Sequence, residues 1–129
     1  MILVDTSVIV AWLDKNHPHH RQCTKAIEHW AQRGRLAVST VTYGELAAGG
    51  RTREAVEDDL HIFEKIPLDA NASWRAGMAF RQYRRKDLDD PVLPDFFIRA
   101  QAAVLNLPHL TNDRRKIKNF PDVDFEFIA

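Results

Sequence analysis

Four acidic residues carry the strongest chemical signal in this sequence: Asp5, Glu45, Asp95 and Asp113. Asp5 ends the apolar run Ile2-Leu3-Val4, and Glu45 lies on the helix expected after Leu36-Ala37-Val38. Asp95 opens a long apolar helix, and Asp113 follows His109-Leu110-Thr111 after one asparagine. In an open α/β sheet, ligands bind beyond the carboxyl ends of the strands, so all four acids would share one edge. Carboxylates gathered there without fixed basic partners repel one another at neutral pH. A hard divalent cation, Mg²⁺ or Mn²⁺, prefers oxygen ligands and removes that penalty. The chemistry such a site suits is phosphodiester hydrolysis, with metal-generated hydroxide and a stabilised leaving oxygen.

Each acid also has a purely local reading. Asp5 can form an Asx-turn or cap the helix after Thr6. Thr42-x-x-Glu45 has the form of a capping box, with Val41 and Leu46 placed as a hydrophobic staple. Asp95 in a first helical turn complements the macrodipole, and Asp113 can serve as an N-cap before Arg114-Arg115-Lys116. The joint placement of all four on one sheet edge favours a site.

The elements that must position them alternate along the chain. Ile2-Leu3-Val4 reads as a buried parallel strand, followed by a short helix carrying Val8, Ile9, Ala11, Trp12 and Leu13, with Thr6 or Ser7 as cap. Cys23, Ile27 and Trp30 recur at helical spacing between His19 and Arg33, where Gly34 stops the helix. Leu36-Ala37-Val38 is a second strand, and Val41 to Ala48 a helix ended by Gly49-Gly50. Val56, Leu60 and Phe63 mark another helix. Ile66 to Leu68 is expected as an edge strand because Pro67 cannot donate to a central ladder. Ala72, Ala76, Phe80 and Tyr83 define a helix to about Lys86, and residues 87–94 form a loop. Pro94 suits the first turn of a helix to about Asn106 that is apolar nearly all round, hence central and buried. His109-Leu110-Thr111 and Val123 to Ile128 complete the strands. Strands separated by helices predict a three-layer α/β fold: a mainly parallel sheet flanked by helices, in one domain over 1–129.

Composition narrows the classes. The chain has 129 residues, 45% hydrophobic and 28% charged, which excludes wholesale disorder. Eighteen Lys+Arg balance eighteen Asp+Glu, so no global field draws in a polyanion. Local patches remain: Arg81, Arg84, Arg85 and Lys86 form one, and Arg114, Arg115, Lys116 and Lys118 form another beside Asp113. The first reads as a solvated helix face; the second, adjoining the acids, suits phosphate contact. Cys23 is the single cysteine, which excludes an internal disulfide. The N-terminus has no basic signal region, and no apolar run approaches the ~20 residues of a membrane span. A soluble, cytoplasmic protein without membrane contact is expected.

The motifs around the acids resemble a known family. Met-Ile-Leu-Val-Asp5-Thr-Ser-Val-Ile-Val, Tyr43-Gly-Glu45-Leu-Ala-Ala-Gly, Pro94-Asp95-Phe-Phe-Ile-Arg-Ala-Gln-Ala and Leu110-Thr-Asn-Asp113 occur in an order and spacing similar to the PIN-domain ribonucleases. Within that group they resemble the VapC toxins of bacterial VapBC toxin–antitoxin pairs, over essentially the whole chain. The resemblance implies an acidic catalytic quartet of Asp5, Glu45, Asp95 and Asp113, with Asp5, Asp95 and Asp113 as metal ligands. It implies Mg²⁺- or Mn²⁺-dependent endonucleolytic cleavage of structured RNA, tRNA or rRNA, a homodimer, and inhibition by a VapB-type antitoxin. Thr6 and Thr111 match hydroxyls that support the acids, and Arg114 and Arg115 are placed to touch RNA or antitoxin. Two departures stand out: Arg99 replaces a small residue, and Arg85-Lys86-Asp87 replaces a turn that often holds Gly.

Other readings fail on residues. His20-x-x-Cys23 lacks the four convergent ligands of a zinc site, and Cys23 fits the apolar stripe. Trp12, Trp30 and Trp74 are expected in the core. A phosphoacceptor receiver needs an acidic pair after the first strand, where Thr6 follows Asp5. A haloacid-dehalogenase-type phosphatase needs Asp-x-Asp, where position 7 is serine. A PIN nuclease for general RNA processing, without an antitoxin, stands as the alternative to a toxin.

Overall fold

A computed structural model describes residues 1–83, 91–115 and 117–128. In chain order the elements are β1 (Ile2–Val4), α1 (Thr6–Leu13), α2 (His20–Ala31), β2 (Leu36–Ser39), α3 (Thr40–Ala48), α4 (Arg53–Asp59) and β3 (Glu64–Ile66). They continue with α5 (Ala70–Gln82), α6 (Leu93–Leu105), β4 (His109–Thr111), a 3₁₀ turn (Ile117–Asn119) and β5 (Phe125–Phe127). The five strands form one sheet in the order β3-β2-β1-β4-β5, and every pairing is parallel. The chain runs outward from β1 through β2 to β3, then crosses back to place β4 and β5 on the other side. The strand order therefore reverses between β1 and β4, the kind of crevice where open α/β sheets bind ligands.

The pleat divides the core in two. Ile2 and Val4 share one cluster with Val8, Cys23, Ile27 and Leu60, whereas Leu3, between them, packs with Ile98 and Ala102. Successive strand residues face opposite sides, so helices must cover both, as the three-layer expectation requires. On the second face, Phe96 is fully buried against Phe80, Phe120 and the stacked ring of Tyr83, with centroids 5.3–5.5 Å apart. Cys23 is buried in the first cluster as expected, and the His20 ring nitrogen Nδ1 bonds the Ala11 carbonyl at 2.9 Å.

Several boundaries differ from the sequence expectation, each for a local reason. The edge strand is Glu64–Ile66 rather than Ile66 to Leu68, because its register pairs Glu64 with Ala37 and Ile66 with Ser39, and Pro67 ends it. Helix α5 stops at Gln82 and not near Lys86, since Tyr83 is already extended. Helix α6 starts at Leu93, with Pro94 inside its first turn, and ends on Asn106 in the left-handed conformation that asparagine tolerates. It is not buried throughout: Val104 and Leu105 are 41% and 46% exposed. Trp74 is 72% exposed rather than core. The buried stripe of α5 is Ala72, Ala76 and Ala79, and a residue two positions after Ala72 lies on the opposite side of the helix. Arg84, Arg85, Lys86 and Lys116, with residues 87–90 of the expected loop, lie outside the described residues. Among the described residues, no helix is long and apolar enough to cross a membrane.

Candidate active site

Asp5 leaves β1 with its N–H bonded to the Leu110 carbonyl at 2.8 Å, so β1 and β4 run together to the switch point. Its backbone is extended, which makes Asp5 itself the cap of α1 in place of Thr6 or Ser7. Asp5 Oδ2 accepts from the Ser7 hydroxyl at 2.6 Å, the Ser7 N–H at 3.3 Å and the Thr111 hydroxyl at 3.1 Å. The Ser7 hydroxyl accepts from the Asn112 N–H at 3.1 Å, and the Thr111 hydroxyl from the Asp113 N–H at 3.0 Å. One hydrogen-bonded web thus fixes Asp5 against the strand end that carries Asp113.

Glu45 is held differently. The capping box on Thr42 does not form, because α3 starts at Thr40 and is capped by Ser39, whose hydroxyl accepts from the Val41 N–H at 3.0 Å. Thr42 is instead buried against α1, with Oγ1 2.8 Å from Thr6 Oγ1. Thr6 donates its hydroxyl proton to Glu45 Oε1 at 2.8 Å. A hydroxyl has one proton, so Thr42 must be the donor to Thr6. Asp95 lies in the first turn of α6, where Oδ2 accepts from the Val92 N–H at 2.7 Å and satisfies an otherwise orphaned helix-end donor.

The expectation that the acids gather without fixed basic partners is overturned. Arg99, on the same helix as Asp95, is 2% exposed, and its Nη2 lies 3.3 Å from Asp113 Oδ2. Arg115 grips Asp113 with both ends of its fork, Nε to Oδ1 at 2.9 Å and Nη2 to Oδ2 at 3.0 Å. His109, wholly buried, sets Nδ1 3.0 Å from the Leu3 carbonyl, which only accepts, so Nδ1 carries a proton. Its Nε2 faces Asp5 Oδ1 at 3.6 Å, an ion pair when the ring is protonated.

These partners split the quartet electrostatically. Burial pushes Asp5 up, but His109, the Ser7 bond and Arg99 together outweigh it and hold the carboxyl well below the usual range. Asp113 is also lowered, burial being overcome by the Arg115 bonds and the Arg99 charge. Glu45 is raised, by burial first and then by the charges of Asp5 and Asp95, against the opposing Thr6 bond. Asp95 is raised by burial and by Asp5 and Asp113, against the Val92 bond and Arg99. All four carboxylates therefore belong to one electrostatic cluster: two fixed as anions, two pushed toward the protonated form.

Among the described residues, no three His, Cys, Asp or Glu side chains are spaced to hold one metal ion as they stand. The donor chemistry nevertheless fits a hard divalent cation. Asp5, Glu45 and Asp95 each commit one oxygen to a described donor, and the neighbouring negative charges that add to burial in raising Glu45 and Asp95 are what a cation relieves. Arg114 lies with its guanidinium carbon 4.1 Å over the Phe127 ring, and Arg115 is half-exposed beside Asp113. The sequence marks Arg99 only as a departure, Ser7 and Thr42 only as helix caps and His109 only as a strand residue, so none of them stands out as part of the site. The available signal was a charged residue inside an apolar helix and a histidine inside an apolar strand.

Comparison with known families resolves the architecture: residues 2–126 match the PIN domain family model. The chain belongs to the PIN-domain family. Among solved structures, this PIN domain is similar to VapBC2 from Rickettsia felis bound to a promoter DNA fragment, at 20% identity, with all of both chains covered and a TM-score of 0.74. It is similar to a toxin–antitoxin complex from Klebsiella pneumoniae at 22% identity, 95% of each chain and a TM-score of 0.73. It also matches VapC20 from Mycobacterium tuberculosis, described as a sarcin–ricin loop cleaving toxin, at 16% identity, 96% of this chain and 98% of that one, with a TM-score of 0.71. No curated protein matches the chain. At identities this low the structural likeness speaks for the PIN fold, and function has to be argued from the site.

Proposed function

We propose that this PIN domain is a metal-dependent endoribonuclease of the VapC type, the toxin of a pair whose VapB-type antitoxin restrains it. The observation that carries the reading is the placement of the four acids about the β1/β4 switch point: Thr111 ties Asp5 to Asp113, Thr6 at the start of α1 holds Glu45, and α6 carries Asp95 together with the Arg99 that pairs with Asp113. Asp5, Asp95 and Asp113 would hold Mg²⁺ or Mn²⁺. Such an ion supplies Lewis acidity and lowers the pKa of water. Asp5 is locked by Ser7, Thr111 and His109, so it presents Oδ1 as a fixed anion. Glu45 is the general base: Thr6 pins Oε1, leaving Oε2 to take the proton of the attacking water, and its raised affinity for protons suits that task. Arg114 and Arg115 position RNA phosphates or meet the antitoxin at the rim.

The solved relatives of this fold include VapBC complexes from Rickettsia felis, Salmonella typhimurium and nontypeable Haemophilus influenzae, which supports an antitoxin partner. The VapC20 description supports structured RNA, rRNA or tRNA, as substrate. A cytoplasmic homodimer is part of the same reading. Inducing this chain alone should arrest growth and create new RNA ends, Glu45→Gln should abolish both, and co-expressing the protein encoded immediately upstream should restore growth. Normal growth with intact RNA overturns the toxin reading. RNA cleavage without arrest, unaffected by the neighbour, favours a processing nuclease.

A further inference from the structure

A buried arginine needs compensation, since an unpaired charge out of water is strongly unfavourable. Arg99 sits in the apolar helix α6 at 2% exposure, with Nη2 3.3 Å from Asp113 Oδ2. Its other terminal nitrogen, Nη1, is buried and lacks a hydrogen-bond partner among the described residues. Among the described residues the guanidinium is paired with Asp113, and its charge favours the ionised forms of Asp5, Asp95 and Asp113 alike. The ionised quartet carries four negative charges. Arg99 cancels one and Arg115, gripping Asp113 from the solvent side, cancels another. With His109 neutral, the remainder equals the charge of one divalent cation.

We propose that Arg99 is a resident counter-cation of the carboxylate cluster, standing in for a second metal beside Asp113 and so limiting the site to a single divalent ion. This rests on the metal-dependent reading of the site and specifies its capacity. Arg99 acts as a positioning residue: it fixes Asp113 from the buried side and sets the charge that remains for the ion. Replacing it by an uncharged side chain of similar length vacates the place beside Asp113 Oδ2 and leaves one net negative charge next to the first ion, which draws in a second. Replacing it by lysine keeps the charge and the single-ion capacity.

The test is calorimetric titration of the chelator-stripped, full-length protein with MnCl₂, alongside melting curves with and without Mn²⁺. Wild type and Arg99→Lys should bind one ion per chain. Arg99→Met should bind two, and Mn²⁺ should raise its melting temperature by more than it raises that of wild type. If Arg99→Met folds only when refolded with Mn²⁺ and then holds two ions, the metal has replaced the guanidinium charge and the proposal stands. An Arg99→Met chain that Mn²⁺ cannot bring to fold overturns it, as does one that still binds a single ion. Two ions on wild type overturn it while leaving the metal-dependent reading intact. No ion on wild type removes that reading and this proposal together.

Discussion

Thr6→Val isolates the bond that sets Glu45, because valine keeps the shape of threonine and loses the hydroxyl. Two interactions go: Thr6 to Glu45 Oε1 at 2.8 Å, and Thr42 to Thr6 at 2.8 Å. A hydrogen bond to a charged group contributes about 1.5–3 kcal/mol and a neutral one about 0.5–1.5 kcal/mol, so the loss at neutral pH is about 2–4.5 kcal/mol. For a domain of this length that is a fall of roughly 6–15 °C in melting temperature. The sign of the pH dependence follows from Glu45. Its carboxyl is already raised in the folded state, and the Thr6 bond is what opposes that rise. Without Thr6 the folded carboxyl binds its proton more tightly still. Stability contributed by a raised carboxyl is complete below its unfolded pKa and is lost as pH rises through the folded one. The Thr6→Val deficit should therefore be largest near pH 8 and shrink toward pH 4, where Glu45 is protonated and needs no donor for a negative oxygen. The assay is differential scanning calorimetry of both proteins in chelator at several pH values, with RNA cleavage measured separately. Cleavage should fall about 10–100-fold as the Glu45 carboxylate loses its fixed position. A deficit that is the same at pH 4 and pH 8, or a mutant that melts with wild type, would refute the reasoning.

Two carboxylates of the same cluster should respond oppositely to neutralisation. Asp95→Asn keeps an acceptor for the Val92 N–H while removing a charge that Asp5 and Asp113 repel, so the metal-free protein should melt higher at neutral pH and gain less from Mn²⁺. Asp5→Asn removes an anion that its surroundings favour, so it should melt lower at neutral pH, a difference that fades only at strongly acidic pH as wild-type Asp5 protonates. Melting curves in chelator decide both, and a shift of the same sign in the two variants would undo the split described above. Arg114→Ala and Arg115→Ala should each weaken RNA binding across sequences and reduce the steepness of its salt dependence by roughly one phosphate contact. An unchanged salt titration would return these residues to local roles, Arg114 on Phe127 and Arg115 on Asp113.

The sequence alone determined the layer pattern, because its signals are local and strong. Ile2-Leu3-Val4, Leu36-Ala37-Val38 and His109-Leu110-Thr111 are short apolar runs between helical stripes, and such alternation admits few folds besides a parallel sheet covered on both sides. It also singled out Asp5, Glu45, Asp95 and Asp113, since each stands at or just after a predicted strand end or helix start. Caps were less legible. Asp5, Thr6 and Ser7 are all competent N-caps, and only the extended backbone at Asp5 selects one of them. Likewise Ser39 and Thr42 compete for α3, and tertiary packing decides by burying Thr42 against Thr6. The large ring of Trp74 suggests burial, whereas helix phase, set by the small residues that let α5 pack on α6, turns it outward. The charge balance of the site lay wholly beyond the sequence. Arg99 is far along the chain from Asp5 and 14 residues before Asp113, and His109 is 104 residues after Asp5. Electrostatic energy depends on distance through space and on burial, and only the folded chain sets either quantity. Tertiary structure thereby turned four similar carboxylates into two fixed anions and two proton-seeking groups.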